Sequence, residues 1–139
     1  MKRKIILASH HYFAKGMQNS LDFIGGEKAK EIVIVSAYID DVPVEKEINE
    51  IMNKFDENTE LVVLTDMMSG SVNQSFIKYT IRSHVHVIAG MNLPLALAIM
   101  LEPDNEYISS KRIKQIVKES QDNIIYMNDK RGNLDEDDE

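Results

Sequence analysis

Four short apolar runs alternate with helix-forming segments along the chain, and this alternation limits the fold more than any other feature. The runs lie at residues 5–8, 31–36, 61–66 and 84–89. A nearly continuous apolar run is typical of a strand buried on both faces, as in a parallel sheet covered by helices. Between the first two runs, Ala14, Met17, Leu21 and Ile24 recur at the spacing of an amphipathic helix. The sequence therefore predicts a single-domain α/β fold with four parallel strands and helices on both faces of the sheet.

The order of the strands follows from the rules of chain connection. Right-handed crossovers favour a flavodoxin-like order, 2-1-3-4, which places the first and third strands side by side. Residues 123–127, Asn-Ile-Ile-Tyr-Met, follow the four-strand core and predict a fifth, antiparallel strand at an edge of the sheet. An added edge strand needs to be covered, so we also expect a homodimer.

Composition and charge exclude several classes of protein. Residues 135–139 supply −5 of the formal charge of −7, which leaves −2 for the other 134 residues. Without a dense cluster of Lys and Arg, nucleic acid is not an expected partner. The absence of cysteine excludes disulfides, thiolate nucleophiles and cysteine-based zinc sites. No apolar run approaches the roughly 20 residues that span a bilayer, so we expect a cytoplasmic protein with one domain at residues 1–132 and a disordered acidic tail at 133–139.

Polar side chains end the first and third strands, at the edge of the sheet where open α/β folds bind ligands. His10 follows the first apolar run and Asp66 ends the third, so the predicted strand order makes them face each other. A carboxylate that holds one nitrogen of a neutral imidazole leaves the other as an oriented nucleophile, which phosphoryl acceptance requires. Ser69, Gly70 and Ser71, in a turn that opens a helix, could present hydroxyl and backbone N–H groups to a phosphoryl group.

Each of these residues also has an ordinary structural interpretation. His10 could simply end a strand, Asp66 could cap a helix or turn, and Ser71 could be a helix N-cap. His84 and His86 share one face of the fourth strand but lie near its amino end, without a carboxylate or cysteine in register. We therefore expect no metal site there.

Four motifs in this order resemble the enzyme IIA component of the mannose family of the sugar phosphotransferase system. They lie at residues 6–10 (Ile-Leu-Ala-Ser-His), 13–16 (Phe-Ala-Lys-Gly), 63–73 (with Leu-Thr-Asp and Ser-Gly-Ser-Val-Asn) and 89–94 (Ala-Gly-Met-Asn-Leu-Pro). The resemblance extends over about residues 4–127. Each motif alone is weak, but four in the right order and spacing are specific.

The resemblance implies a phosphocarrier that works without a cofactor. Such a domain takes a phosphoryl group from the histidine-containing phosphocarrier protein onto His10 and passes it to a IIB component. The IIB component then phosphorylates a sugar that enters through the membrane components IIC and IID. Asp66 matches the family's carboxylate that pairs with the active histidine, and Ser71 matches the serine beside the phosphoryl group. Family members form homodimers in which a late strand packs on or exchanges with the other subunit, and residues 123–127 are the candidate here.

Two departures from the family pattern leave partner specificity open. His11 stands where the family usually has glycine, and residues 67–69, Met-Met-Ser, replace a more usual aromatic and glycine pattern. Two other functions also stay open: the phosphoryl-donor subunit of a dihydroxyacetone kinase system, which carries a similar domain, and a catalytically silent regulatory module. The sequence does not identify the sugar, because this component never contacts it.

Overall fold

Four parallel strands form one sheet in the order β2-β1-β3-β4, as the sequence predicted. The structure is a computed structural model that describes residues 2–130. Its strands are β1 (Arg3–His10), β2 (Val33–Ala37), β3 (Glu60–Thr65) and β4 (Val85–Ala89). The predicted acidic tail at 133–139 lies outside the described residues.

Five α-helices connect and cover the strands in the described part of the chain. They are α1 (Phe13–Gly25), α2 (Val44–Met52), α3 (Ser71–Ile77), α4 (Leu93–Leu101) and α5 (Ser110–Gln121). Short 3-10 helices occupy Glu27–Glu31, Lys78–Ile81 and Met127–Lys130.

The helices begin and end where local chemistry satisfies their free backbone groups. Asn92 caps α4 by accepting from the Leu95 N–H, and the helix begins at Leu93. The Ser109 hydroxyl accepts from the Arg112 N–H, and α5 begins at Ser110. At the end of α1, Gly26 adopts a positive φ of 87°, which glycine reaches without steric cost.

Two hydrophobic cores lie on the two faces of the sheet. Leu7, Val62 and Leu64 pack with α1, α4 and α5 on one face. Ile6 and Val63 pack with α2 and α3 on the other. All six residues of β3 are buried, which explains why its sequence is apolar at successive positions rather than at alternate ones.

The fifth strand predicted at residues 123–127 is wrong. In the structure this segment continues from α5 through turns, with the Ile124 N–H donating to the Gln121 carbonyl, and then enters the last 3-10 helix. Ile124 and Tyr126 are 79% and 68% exposed. An apolar segment becomes a strand only when it pairs with the edge of another strand, and here its backbone bonds locally instead.

Candidate functional site

The candidate site lies at the carboxyl edge of the sheet, where His10 ends β1 and Asp66 follows β3. Ala8 pairs with Thr65 in the register of these neighbouring strands, so both polar residues emerge at the same level. The structure thus brings His10 and Asp66 together, as the predicted strand order required.

The Asp66 carboxylate is hydrogen-bonded to both the ring and the backbone of His10. Its Oδ2 lies 2.7 Å from His10 Nδ1 and accepts from the His10 backbone N–H at 2.8 Å, while Oδ1 accepts from the Met67 N–H at 3.0 Å. Burial acts to raise the pKa of Asp66, but the hydrogen bonds from the His10 backbone and ring, together with the charge of His10, outweigh it. The net pKa of Asp66 is lowered.

The protonation of Asp66 decides which imidazole nitrogen is available. An ionised carboxylate can only accept hydrogen bonds, so His10 Nδ1 carries the proton. In the neutral ring, Nε2 then holds the free lone pair. The His10 side chain is 37% exposed, against 14% for Asp66, which places a fixed carboxylate behind an imidazole that solvent or a partner can reach.

Buried Ser9 holds the turn that follows His10. Its hydroxyl accepts from the Ala14 N–H at 2.7 Å and donates to the His11 carbonyl at 3.3 Å. The turn forces exposed His11 into the left-handed region, with φ at 51°. This conformation accounts for the glycine that is usual here in the family that the sequence resembles.

The predicted phosphate turn lies against the imidazole. A Cβ on Gly70 would be 3.0 Å from His10 Cε1, so any side chain at position 70 would press on the ring. Ser71 begins α3, and Ser69 is exposed in the same turn. Buried Asn73 holds the turn in place, since its amide donates to the Met68 carbonyl at 3.0 Å.

Tyr38 also belongs to this site, although the sequence did not predict a role for it. The residue follows β2 directly, with φ at 67°, and its ring centroid lies 5.5 Å from that of His10. Its hydroxyl is hydrogen-bonded to the Ser71 hydroxyl. The signal in the sequence was an aromatic residue just past the second strand, next to His10 in the predicted strand order.

His84 and His86 lie away from this edge. The His84 ring stacks on Tyr107 with centroids 3.6 Å apart, and His86 Nε2 lies 3.0 Å from the Ile108 carbonyl oxygen. Within residues 2–130, no group of three or more His, Asp or Glu side chains is arranged to hold a metal ion. Nor does that part of the chain contain a helix long and apolar enough to cross a membrane.

Comparison with known proteins identifies the family of the chain. The family model of the PTS system fructose IIA component, EIIA-man, matches residues 4–115. The chain belongs to the mannose family of enzyme IIA components. The resemblance found in the sequence is therefore confirmed, and phosphotransferase activity is general among phosphotransferase-system IIA proteins.

Solved structures show the same fold over nearly the whole chain. A protein from Klebsiella pneumoniae, assigned as a phosphoenolpyruvate-dependent sugar phosphotransferase system permease, is 34% identical, with a TM-score of 0.83 over 92% of this chain and 93% of its own. The mannose/sorbose-specific IIA subunit from Enterococcus faecalis is 24% identical, with a TM-score of 0.76 over 90% and 94% of the two chains. A IIA protein associated with the fucose utilization operon of Streptococcus pneumoniae is 22% identical, with a TM-score of 0.75 over 94% and 96%. The last two likenesses concern the fold alone.

Proposed function

We propose that this IIA component carries a phosphoryl group on His10 Nε2. It accepts the group from the histidine-containing phosphocarrier protein and passes it to a IIB component, which acts with the membrane components IIC and IID in sugar uptake and phosphorylation. The exchange takes place in the cytoplasm. The observation that supports this proposal is the 2.7 Å contact between His10 Nδ1 and Asp66 Oδ2, which directs the other ring nitrogen outward.

The transfer needs no proton to move. His10 Nε2 attacks the phosphorus atom of the donor's phosphohistidine, the phosphorus–nitrogen bond of the donor breaks, and its electron pair returns to the donor imidazole. Nδ1 keeps its proton throughout because Asp66 remains an acceptor. In the product, Nδ1 carries its proton and Nε2 carries the phosphoryl group, so the ring is formally an imidazolium whose positive charge lies beside the Asp66 carboxylate. In the next step the IIB component attacks the same phosphorus, and the electron pair of the broken phosphorus–nitrogen bond returns to His10.

The turn beside the ring accommodates the phosphoryl group in this proposal. The missing side chain at Gly70 leaves room beside Cε1, and the Ser71 hydroxyl is a donor to phosphoryl oxygens. Ser69, exposed in the same turn, contributes from its outer end. Hydrogen bonds to a charged phosphoryl group are about twice as strong as neutral ones, so a few donors are enough.

The decisive experiment incubates the chain with phosphoenolpyruvate and the general phosphotransferase proteins. The His10→Gln variant keeps a polar side chain of similar reach but loses the nucleophilic nitrogen, so phosphoryl acceptance should vanish while the fold survives. His11→Ala is the matched control and should still accept the group. An acid-labile phosphoryl group on His10→Gln, or loss of labelling in His11→Ala alone, would contradict the assignment.

The same experiment tests the other two functions. A silent regulatory module would leave the wild-type chain unlabelled. A donor subunit of a dihydroxyacetone kinase system would become labelled but would discharge to its kinase rather than to a IIB component. Discharge of the labelled chain on addition of a IIB component is the result we expect.

A homodimer remains part of this proposal, although the fifth strand that first motivated it is absent from residues 2–130. Its support is the exposed apolar surface of Ile124, Ile125, Tyr126 and Met127, which a second subunit would cover. Sedimentation at micromolar concentration should give about twice the 15.9 kDa chain mass. A clean monomer would remove the dimer from the proposal without affecting the role of His10.

A further inference from the structure

We propose that Tyr38 is a second phosphoryl-binding residue, whose hydroxyl leaves Ser71 and donates to the phosphoryl group once His10 is phosphorylated. This inference rests on the proposed function, because it concerns the phosphorylated form of the same site. It adds a residue of β2's carboxyl end to a site otherwise formed by β1, β3 and the start of α3.

The first observation is the position of Tyr38 relative to the reactive ring. Its ring lies 5.5 Å from the His10 ring between centroids, tilted by 32°. Asp66 occupies Nδ1 of that imidazole and Gly70 lies against Cε1. Tyr38 thus lies beside the imidazole, and its hydroxyl is hydrogen-bonded to Ser71, the residue that follows Gly70.

The second observation is the backbone of Tyr38. Among the non-glycine residues of the described chain, only His11 and Tyr38 have positive φ, and both directly follow strands that end at this edge. The left-handed conformation is sterically unfavourable for L residues, and a tyrosine side chain forms no local hydrogen bond that would offset this cost. Strained residues of this kind concentrate at functional sites. Here the conformation accompanies a tyrosine ring turned toward His10 rather than into the core, with about half of its side chain exposed.

The third observation is the pairing of two hydroxyl groups. Tyr38 and Ser71 together hold two hydroxyl protons, and their mutual hydrogen bond uses one of them. A phosphoryl group on Nε2 would offer three acceptor oxygens and a double negative charge. Breaking one neutral hydrogen bond then allows two stronger, charge-assisted ones to form. In the unphosphorylated site the two hydroxyls bond to each other, and in the phosphorylated site both are available as donors.

The test measures the equilibrium constant for phosphoryl exchange between the histidine-containing phosphocarrier protein and the IIA chain, by intact-protein mass spectrometry. Tyr38→Phe keeps the ring and removes only the hydroxyl, so His10 should still accept the phosphoryl group. The equilibrium constant for transfer to the IIA chain should fall roughly five- to tenfold, because the phosphorylated form loses one hydrogen bond. Tyr12→Phe removes another exposed hydroxyl from the same edge and is the matched control, expected to stay within about twofold of wild type. Thermal unfolding of each variant checks that the fold is intact.

A double variant separates direct contact from a structural role. Tyr38→Phe and Ser71→Ala each remove one donor to the phosphoryl group, but each also removes the hydroxyl–hydroxyl bond that phosphorylation would have to break. The double variant removes both donors, whereas the free energy of that one bond is saved only once. Its effect on the exchange constant should therefore exceed the product of the two single effects. A double variant no worse than Ser71→Ala alone would show that Tyr38 acts only through Ser71 and would overturn the proposal.

The outcomes also distinguish this proposal from the function on which it rests. If Tyr38→Phe matches wild type while His10→Gln is still unlabelled, the Tyr38 proposal fails and the phosphocarrier function stands. If His10→Gln becomes labelled, the phosphocarrier assignment itself fails.

Discussion

At each end of the two central strands, β1 and β3, two ionisable side chains form a hydrogen-bonded pair, and the two pairs differ in what surrounds them. At the amino edge, Arg3 lies opposite Glu60, with Nε and Oε1 2.5 Å apart. At the carboxyl edge, His10 meets Asp66 at 2.7 Å. Similar strands and similar distances thus produce one enclosed pair and one open pair.

The Arg3–Glu60 pair has partners on every side. The Arg3 guanidinium also donates to three backbone carbonyls of the segment 102–106, and Glu60 Oε2 accepts from the Ile108 N–H. The side chains of Arg3 and Glu60 are only 7% and 0% exposed. This pair joins both strands to the chain between α4 and α5, and its buried charges are fully hydrogen-bonded.

The His10–Asp66 pair, by contrast, is more open. Asp66 accepts three hydrogen bonds, while the His10 ring bonds through Nδ1 alone within residues 2–130 and its side chain is 37% exposed. Distance alone therefore does not separate an enclosed structural pair from one that a partner can reach. Enclosure and the number of hydrogen-bonded atoms separate the two kinds of pair, since only a group with an atom free of hydrogen bonds can bind a new atom.

Breaking the enclosed pair should have the largest effect on stability. Glu60→Leu would leave the Arg3 charge buried without its carboxylate, so we expect the free energy of unfolding to fall by about 3 kcal/mol in chemical denaturation. The exposed pair of Lys78 and Glu45, 3.7 Å apart, provides the control: Glu45→Ala should cost less than about 1 kcal/mol. Equal losses in the two variants would contradict the distinction drawn from enclosure.

Breaking the open pair should affect transfer more than folding. In Asp66→Ala the nucleophile remains, but its tautomer and direction are no longer held, so stopped-flow measurement should show phosphoryl transfer slowed about 10- to 100-fold. The free energy of unfolding should change less than in Glu60→Leu, because His10 can turn to solvent. Transfer at the wild-type rate would show that Asp66 does not orient the ring.

The pH dependence of stability should reveal the charge on Asp66. Its pKa is lowered in the folded chain, so the carboxylate stabilises the fold above the pKa it has when unfolded, and this contribution is lost as pH falls through the folded-state value. The difference in unfolding free energy between wild type and Asp66→Asn should therefore be constant from neutral pH to about 5 and shrink below about 4. A difference that stays constant into strong acid would rule out this origin.

Relieving the strained turn beside His10 should have the smallest effect. His11→Gly removes the steric cost of the left-handed backbone but adds freedom to the unfolded chain, so we expect a net gain of about 0.5 kcal/mol in thermal unfolding. His11→Ala keeps the same backbone cost and should leave stability nearly unchanged. A loss of stability in His11→Gly would show that the His11 side chain makes a stabilising contact.

The sequence by itself determined the layers, the strand order and the meeting of His10 with Asp66 at one edge of the sheet. Apolar runs indicate strands buried on both faces, because burial favours an apolar side chain at each successive position. The rules of chain connection then order those strands. His10 and Asp66 were found because each is a polar residue near the point where such a run ends. The candidate phosphate turn at 69–71 was found because small polar residues follow the third strand.

Only the tertiary structure decided the partners of groups that lie far apart in the chain. Tyr38 joins the site through a left-handed backbone and a hydroxyl 33 residues from its partner, and the carboxylate of Glu60 is held by Arg3, 57 residues away. The segment 123–127 has the composition of a strand but continues from α5 in turns, because no strand edge pairs with it in the described chain. Local patterns record burial and backbone preference, whereas strand pairing and the satisfaction of polar atoms depend on groups that meet only after folding.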